Sequence, residues 1–96
     1  MPASPLSSTD IDSRLRSLDG WELERGEIVR TFTFRTFCGS LDFVVLVGGL
    51  AEAAGHHPDI DIRYNKVRLA LATHDVGGLT DKDFDLAGKI DELDKA

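Results

Sequence analysis

The stretch from Asp59 to Ala72, DIDIRYNKVRLALA, constrains the fold more than any other part of this 96-residue chain. Apolar and polar side chains alternate on both sides of Asn65-Lys66, which places them on opposite faces of two strands. Asparagine tolerates the positive φ angle that tight turns need, so Asn65-Lys66 is the predicted turn. The stretch therefore predicts a β-hairpin that buries one face, the face of Ile60 and Leu69.

A second alternating stretch, WELERGEIVRTFTF from Trp21 to Phe34, predicts another hairpin with its turn at Arg25-Gly26. Arg30 is the one charge on the more apolar face of its second strand, and we expect it near an edge of the sheet. Two hairpins whose strands each have one apolar and one polar face predict a four-stranded antiparallel sheet. Only the apolar face of such a sheet must be covered by helices.

Three other segments show the apolar spacing of amphipathic helices. The first is predicted to begin at a cap on Ser8 or Thr9 and to end at Gly20, and the last to begin at a cap on Thr80. The order αββαββα belongs to the α+β class, as a single domain whose four-stranded antiparallel sheet has three helices covering one face. We expect a disordered tail at residues 1–7 and the domain at residues 8–96.

The middle helix, predicted over residues 37–55 with a cap at Thr36 or Ser40, carries more apolar residues than one sheet can bury. One stripe, expected to face the sheet, comprises Phe37, Leu41, Val44, Val47 and Ala51; a second comprises Phe43, Leu46, Leu50 and Ala54. The second stripe predicts a partner helix from another subunit, and Gly48-Gly49 would allow close approach. The open alternative is drift of the pattern in a well-packed helix.

Composition and charge exclude several classes of protein. The formal net charge of −6 argues against direct nucleic-acid binding, which needs a cationic surface. The single cysteine, Cys38, cannot form an intrachain disulfide, as is usual in a reducing cytoplasm. The chain start lacks the features of a signal peptide, and the longest apolar stretch is shorter than the roughly 20 residues that span a bilayer. We therefore expect a cytoplasmic protein without membrane contact.

Two of the three histidines stand side by side in AGHHPDI, and the third lies in LATHDVGG. Pro58 disfavours a helical conformation at His57, so the preceding helix is expected to end just before the pair. The hairpin brings the far end of its second strand, and with it His74, back toward that junction. Glu52 lies four residues before His56 on the same side of the helix. Three imidazoles and one carboxylate are therefore predicted to converge.

Three interpretations of this group stay open on the residues alone. The first is general acid–base catalysis, because histidine has an ordinary pKa of about 6.5 and can give or take a proton near neutral pH. The second is a metal site of three histidines and Glu52, which adjacent histidines suit poorly because neighbouring side chains diverge. The third is structural, with His56 capping its helix, His57 solvated and His74 bonded to a carbonyl group.

The residues also resemble a known family. The pattern Glu52-x3-His56-His57-Pro58-x5-Tyr64-x9-His74-x8-Asp83 is similar to the signature of the pterin-4a-carbinolamine dehydratases. The flanking segments GW, YNKV and THDVGGLT are similar as well, over about residues 8–93. The resemblance implies dehydration of 4a-hydroxytetrahydrobiopterin to quinonoid dihydropterin and water, with no cofactor and no metal. This reaction recycles the pterin cofactor of aromatic amino acid hydroxylases.

The resemblance assigns a role to each matching residue. It implies three catalytic residues: His56, His57 and His74. It implies pterin contacts from Glu52, which would alternatively orient His56, and from Trp21, Thr73 and Asp75. Structural roles fall to Pro58, Tyr64 and Asp83, of which Asp83 also forms a capping box with Thr80. At Ile60 and its neighbours the chain lacks the tryptophan that many members carry after the histidine pair.

The family also implies partners. It implies a homodimer or homotetramer built through the 37–55 helix, and a functional link to an aromatic amino acid hydroxylase. The alternative function is non-catalytic: some members act as dimerisation cofactors of a transcription factor, and related folds without the histidines act as assembly factors.

Overall fold

The computed structural model describes residues 4–95, and the side chains of 4–94. Its elements follow the predicted order, with one short 3₁₀ helix added after the last strand. They are α1 (Ser8–Arg16), β1 (Glu22–Glu24), β2 (Glu27–Thr33), α2 (Phe37–Ala54), β3 (Asp59–Arg63), β4 (Lys66–Leu71), the 3₁₀ helix (His74–Val76) and α3 (Asp81–Lys95). The predicted α+β class and element order are confirmed.

The four strands form one antiparallel sheet in the order β1-β2-β4-β3, so β2 and β4 are the inner strands. Ile28 pairs with Leu71 and Phe32 with Val67, which aligns the apolar faces of the two hairpins. These side chains pack with residues of α2 and α3, among them Val47 and Ile90, in one buried cluster. The helices therefore cover one face of the sheet, as predicted.

The turn between β3 and β4 lies one residue earlier than predicted. Arg63 pairs with Lys66, which leaves Tyr64-Asn65 as the two-residue turn, and Tyr64 takes the positive φ of 53°. Asn65 serves a longer-range contact: its amide Nδ2 donates to the carbonyl oxygen of Phe34 at 2.9 Å, and its own carbonyl accepts from Phe34 N–H. This link to the end of β2 involves residues too distant in sequence for a local turn rule to include.

The expectation that Arg30 lies near a sheet edge is wrong, because β2 is an inner strand. Its guanidinium group donates to Asp91 of α3 at 2.8 Å and lies 4.3 Å from the ring centroid of Phe32. Trp21 donates through its indole N–H to the same Asp91 oxygen at 2.9 Å. The charge is thus neutralised by the covering helix, which makes an inner position tolerable.

The helix ends agree with their capping residues, with one shift. Ser7 caps α1 by accepting from the N–H of Asp10, one residue before the predicted Ser8 or Thr9, and α1 ends at Arg16, before Gly20. Thr36 caps α2 as predicted. Of the predicted tail, residues 1–3 lie outside the described residues, while Leu6 N–H donates to the carbonyl oxygen of Leu79 at 2.8 Å.

Helix α2 has the predicted apolar surplus, but its buried and exposed faces differ from the prediction. Phe43, placed on the outer stripe, is buried against the rings of Phe32 and Phe34 at 4.8 and 4.9 Å. Phe37 and Leu41, placed on the inner stripe, are 47% and 39% exposed. The aromatic contacts fix the rotation of the helix, and two competing apolar stripes cannot specify that rotation. The exposed apolar face consists of Phe37, Leu41, Val45 and Leu46.

By length and composition alone, α2 could also cross a membrane, since its 18 residues have a mean hydropathy of 1.6. Four of its residues, Ser40, Phe43, Val47 and Ala51, are buried within the domain. Core helices of globular domains commonly meet the same criterion, so this feature is weak evidence for a span.

Ser40 generates a stability prediction, because its hydroxyl is fully buried and has no hydrogen-bond partner among the described residues. Ser40→Ala removes an unsatisfied polar group, so it should raise the free energy of unfolding by about 1 kcal/mol. Urea unfolding measures the change. Ser13→Ala, at an exposed position of α1, is the matched control for helix propensity. A gain no larger than that of Ser13→Ala would show that the hydroxyl is satisfied.

Candidate active site

The two adjacent histidines sit where α2 passes into β3. Gly55 ends α2 in the left-handed conformation, with φ of 63°, and redirects the chain before His56. His74 begins the 3₁₀ helix that follows β4. Because Asp59 pairs with Ala70, the start of β3 lies beside the end of β4. The predicted convergence of the histidines therefore follows from one helix end and one strand pairing.

All three histidines line a single cleft of about 240 Å³. Its volume lies below the roughly 300–1,000 Å³ typical of small-molecule sites, so a ligand would remain partly exposed in one chain. The full lining is Gly55, His56, His57, Ala72, Thr73, His74, Asp75 and Lys82.

His56 is held by a buried carboxylate. Asp83 of α3 is fully buried, and its Oδ1 lies 2.5 Å from His56 Nε2. Its Oδ2 accepts from the N–H of Thr80 at 2.9 Å and from the hydroxyl of Thr73 at 2.8 Å. An ionised carboxylate only accepts hydrogen bonds, so His56 Nε2 carries the hydrogen. Nδ1 is then the ring nitrogen left for another partner.

The hydroxyl groups of Thr73 and Thr80 belong to the same hydrogen-bond network, and the direction of donation between them can be assigned. Each hydroxyl has one hydrogen. Thr73 gives its hydrogen to Asp83, so Thr80 must donate to Thr73 across their 2.8 Å contact. Thr80 in turn accepts from the N–H of Lys82 at 3.2 Å. The capping box predicted for Thr80 and Asp83 is therefore present, and the Thr73 hydroxyl, predicted to bind substrate, is committed inside the protein.

Glu52 pairs with His57 and does not orient His56, which the resemblance implied as the alternative to a pterin contact. Glu52 Oε1 lies 2.5 Å from His57 Nε2, and the two side chains are 79% and 61% exposed. The prediction assumed helical spacing as far as His56, but α2 ends at Ala54 and the left-handed Gly55 changes the direction of the chain. Solvent screens this exposed pair, so His57 is held less firmly than His56.

His74 is exposed, and its side chain has no hydrogen bond or ion pair to any other described side chain. The three imidazoles therefore differ: His56 is anchored by a buried acid, His57 is paired at the surface, and His74 is unengaged. The three histidines and Glu52 do not form a compact ligand group within residues 4–95. The geometry thus favours proton transfer over the metal interpretation of this set.

The remaining predicted residues divide by location. Asp75 lines the cleft, whereas Trp21 is 5% exposed in the core and donates to Asp91, away from the residues that line the cleft. Pro58 has a trans peptide bond, and Tyr64 lies in the hairpin turn with 67% of its surface exposed. Lys82 also lines the cleft and was not among the predicted site residues. Its position between the capping residues Thr80 and Asp83 was the available signal.

Asp83 generates a second stability prediction. Asp83→Ala removes the acidic half of the capping box of α3 and leaves two buried donors, the Thr73 hydroxyl and the Thr80 N–H, without their acceptor. It should therefore lower the free energy of unfolding by about 2–4 kcal/mol. Asp85→Ala, which removes an exposed carboxylate from the same helix, should cost less than about 1 kcal/mol. Equal effects of the two variants in urea unfolding would contradict this account of the buried network.

Comparison with known proteins agrees with this geometry. The family model described as pterin 4 alpha carbinolamine dehydratase matches residues 4–93. A relative from Chloroflexus aurantiacus, provisionally named pterin-4-alpha-carbinolamine dehydratase, is 60% identical over 92% of this chain and 95% of its own. One from Acidobacterium capsulatum with the same provisional name is 56% identical over 92% and 96%.

Solved structures share the fold. A protein from Brucella melitensis described as a transcriptional coactivator/pterin dehydratase has a TM-score of 0.90 and 33% identity, covering 94% of this chain and 98% of its own. A pterin dehydratase-like RuBisCO assembly factor of the alpha-carboxysome has a TM-score of 0.62 and 20% identity, covering 76% and 84%, which supports the fold alone. Together with the family match and the curated relatives, these findings show that the chain belongs to the pterin-4a-carbinolamine dehydratase family.

Proposed function

We propose that this protein is a 4a-hydroxytetrahydrobiopterin dehydratase, a hydro-lyase that forms quinonoid dihydropterin and water. The observation that carries the proposal is the set of three imidazoles in one cleft, of which one is anchored by a buried carboxylate and two are accessible to a ligand. The provisional names of the curated relatives support the same activity. Such an enzyme would act in the cytoplasm and return the pterin to an aromatic amino acid hydroxylase.

The chemistry needs one proton donor and one proton acceptor. The C4a–O bond of the substrate breaks, and its hydroxyl group takes a proton and leaves as water. N5 loses its proton, and its electrons form the C4a=N5 double bond. Histidine can serve in both roles near neutral pH. No covalent intermediate with the protein is required.

The three environments divide this work. His57 and His74 are exposed at the cleft, so they can supply the donor and the acceptor. His56 is held by Asp83 with Nε2–H fixed, so it presents Nδ1 in a constant orientation and positions the pterin. Asp75 and Lys82 line the same cleft and add one charge of each sign for contacts to the polar pterin ring.

Histidine substitution tests the proposal directly. His57→Ala and His74→Ala should each lower the dehydration rate by about 10²-fold or more, the usual scale for one acid–base group. Stopped-flow measurement with synthetic 4a-hydroxytetrahydropterin gives the rate, and Glu22→Ala, exposed on β1, is the surface control. Near-wild-type turnover in both histidine variants would refute acid–base catalysis at this cleft.

A second candidate function is a non-catalytic one, as a dimerisation cofactor or assembly factor. The exposed apolar face of α2 favours it, because such a face serves binding whether or not the cleft is catalytic. The double variant His57→Ala with His74→Ala separates the two candidates. If the protein acts only by binding, the double variant should keep its biological function. If it acts through dehydration, the double variant should lose that function together with its dehydratase activity.

The same α2 face supports a proposed homo-oligomer, a dimer or a tetramer. Val45 and Leu46 are 74% and 55% exposed, and burying one large apolar side chain contributes about 1.5–3 kcal/mol. That gain is large against the net stability of roughly 5–15 kcal/mol that is usual for a domain. Within the part of the chain that the structure describes, no side chain covers Gly48 or Gly49, since a Cβ atom there would have no neighbour within 4 Å. A second copy of α2 could therefore approach closely.

Leu46→Glu tests the assembly. It would place an unpaired charge in the contact between two copies of α2, so it should shift the protein to monomer in sedimentation velocity at micromolar concentration. Leu23→Glu is the matched control, because Leu23 is 49% exposed on β1, outside α2. A wild-type protein that sediments as a stable monomer would refute the oligomer.

A further inference from the structure

Three side chains that can ligate a metal ion meet beside the cleft. Of the three, only His74 has a proposed role in dehydration. They are Glu27, Asp59 and His74, whose ligand atoms all lie within 4.8 Å of one another. Glu27 is the first residue of β2, Asp59 is the first of β3, and His74 follows β4. Three separate elements therefore deliver one ligand each.

The sheet register explains why they meet. Asp59 pairs with Ala70 of β4, and Glu27 directly precedes Ile28, which pairs with Leu71. Alternation along the strands puts both carboxylates on the face opposite Ile28, away from the helices. Between them on this face lie two alanines, Ala70 of β4 and Ala72 just past the end of that strand. The small methyl groups leave space above the strand into which longer side chains can converge.

The three side chains are also unengaged. None of them has a hydrogen bond or ion pair to another described side chain. Two other acids of the same sheet are paired: Glu24 with Arg68 at 3.1 Å, and Asp61 with Arg63 at 3.2 Å. Two carboxylates this close repel each other, and a bound cation would remove that repulsion. A second cleft of about 300 Å³, lined in part by Glu27 and His74, gives an ion access.

We propose that Glu27, Asp59 and His74 bind a divalent transition-metal ion of the Zn²⁺ class. One imidazole nitrogen and two carboxylate oxygens suit Zn²⁺, and the imidazole disfavours Mg²⁺ and Ca²⁺. Bonds of about 2.1 Å in tetrahedral geometry place ligand atoms about 3.4 Å apart, so the observed spacing needs only small side-chain movements. Three protein ligands leave a further position for water.

The ion would regulate the dehydratase, and this consequence rests on the proposed function. His74 lines both clefts. An imidazole nitrogen bound to a metal ion cannot exchange a proton with the pterin. Metal binding at this site is therefore inhibitory, and the metal-free protein is the active form.

Calorimetric titration of ZnCl₂ into the EDTA-treated full-length protein tests the site without reference to activity. Wild type should bind one ion per chain. Glu27→Gln and Asp59→Asn should each weaken the affinity for Zn²⁺ by roughly tenfold or more. Loss of a residue that only hydrogen-bonds a metal ligand already costs about tenfold, and these two residues are proposed as ligands themselves. Asp61→Asn and Glu52→Gln are matched controls and should bind as wild type. Unchanged affinity in Glu27→Gln and Asp59→Asn, or a loss in Glu52→Gln instead, would overturn the site.

The rate assay then tests the regulation. Zn²⁺ should slow wild type, EDTA should restore the rate, and Glu27→Gln should keep its metal-free rate in the presence of Zn²⁺. Equal inhibition of Glu27→Gln would overturn the link to His74. A wild type with no dehydratase activity in EDTA would refute the proposed function, while calorimetry would still decide the metal site.

Discussion

The buried carboxylate of Asp83 is the interaction on which the site depends. It accepts from Thr80 at the start of α3, from Thr73 after β4, and from His56 after α2. A buried charge is tolerated only when its oxygens are satisfied, so all three contacts must form together. One side chain thus joins a helix start, a strand end and a helix end. The cleft lies where these three elements meet.

Helix α3 makes a comparable contact at its other end. Asp91 lies eight residues after Asp83 and accepts from both Trp21 and Arg30. Two little-exposed acids spaced about two turns apart therefore hold α3 to the sheet at two points, with Leu86, Ala87 and Ile90 packed between them. Hydrogen bonds and ion pairs of this kind require a particular relative position of the two partners, whereas the apolar contacts between them do not. The pair therefore fixes the position of α3 along the sheet, and with it the position of His56.

Much of the fold could be predicted because its signals are local. The alternation in DIDIRYNKVRLALA, the capping residues Thr36 and Thr80, and the turn at Arg25-Gly26 each act within a few residues. The errors arose where a distant partner decided the outcome. Asn65 bonds Phe34, and the turn lies one residue earlier than predicted. Asp91 neutralises Arg30, so Arg30 can lie on an inner strand. The rings of Phe32 and Phe34 pack against Phe43 and so set the rotation of α2.

The candidate site shows the same division. The sequence by itself determined the helix end before His56, the hairpin that returns His74, and the capping role of Asp83, because each depends on backbone preferences of neighbouring residues. Only the tertiary structure decided that Asp83 holds His56, that Glu52 pairs with His57, that Trp21 lies in the core, and that Glu27 meets His74. Those contacts join residues from separate elements, and their partners are selected by strand register and helix packing, which no local pattern encodes.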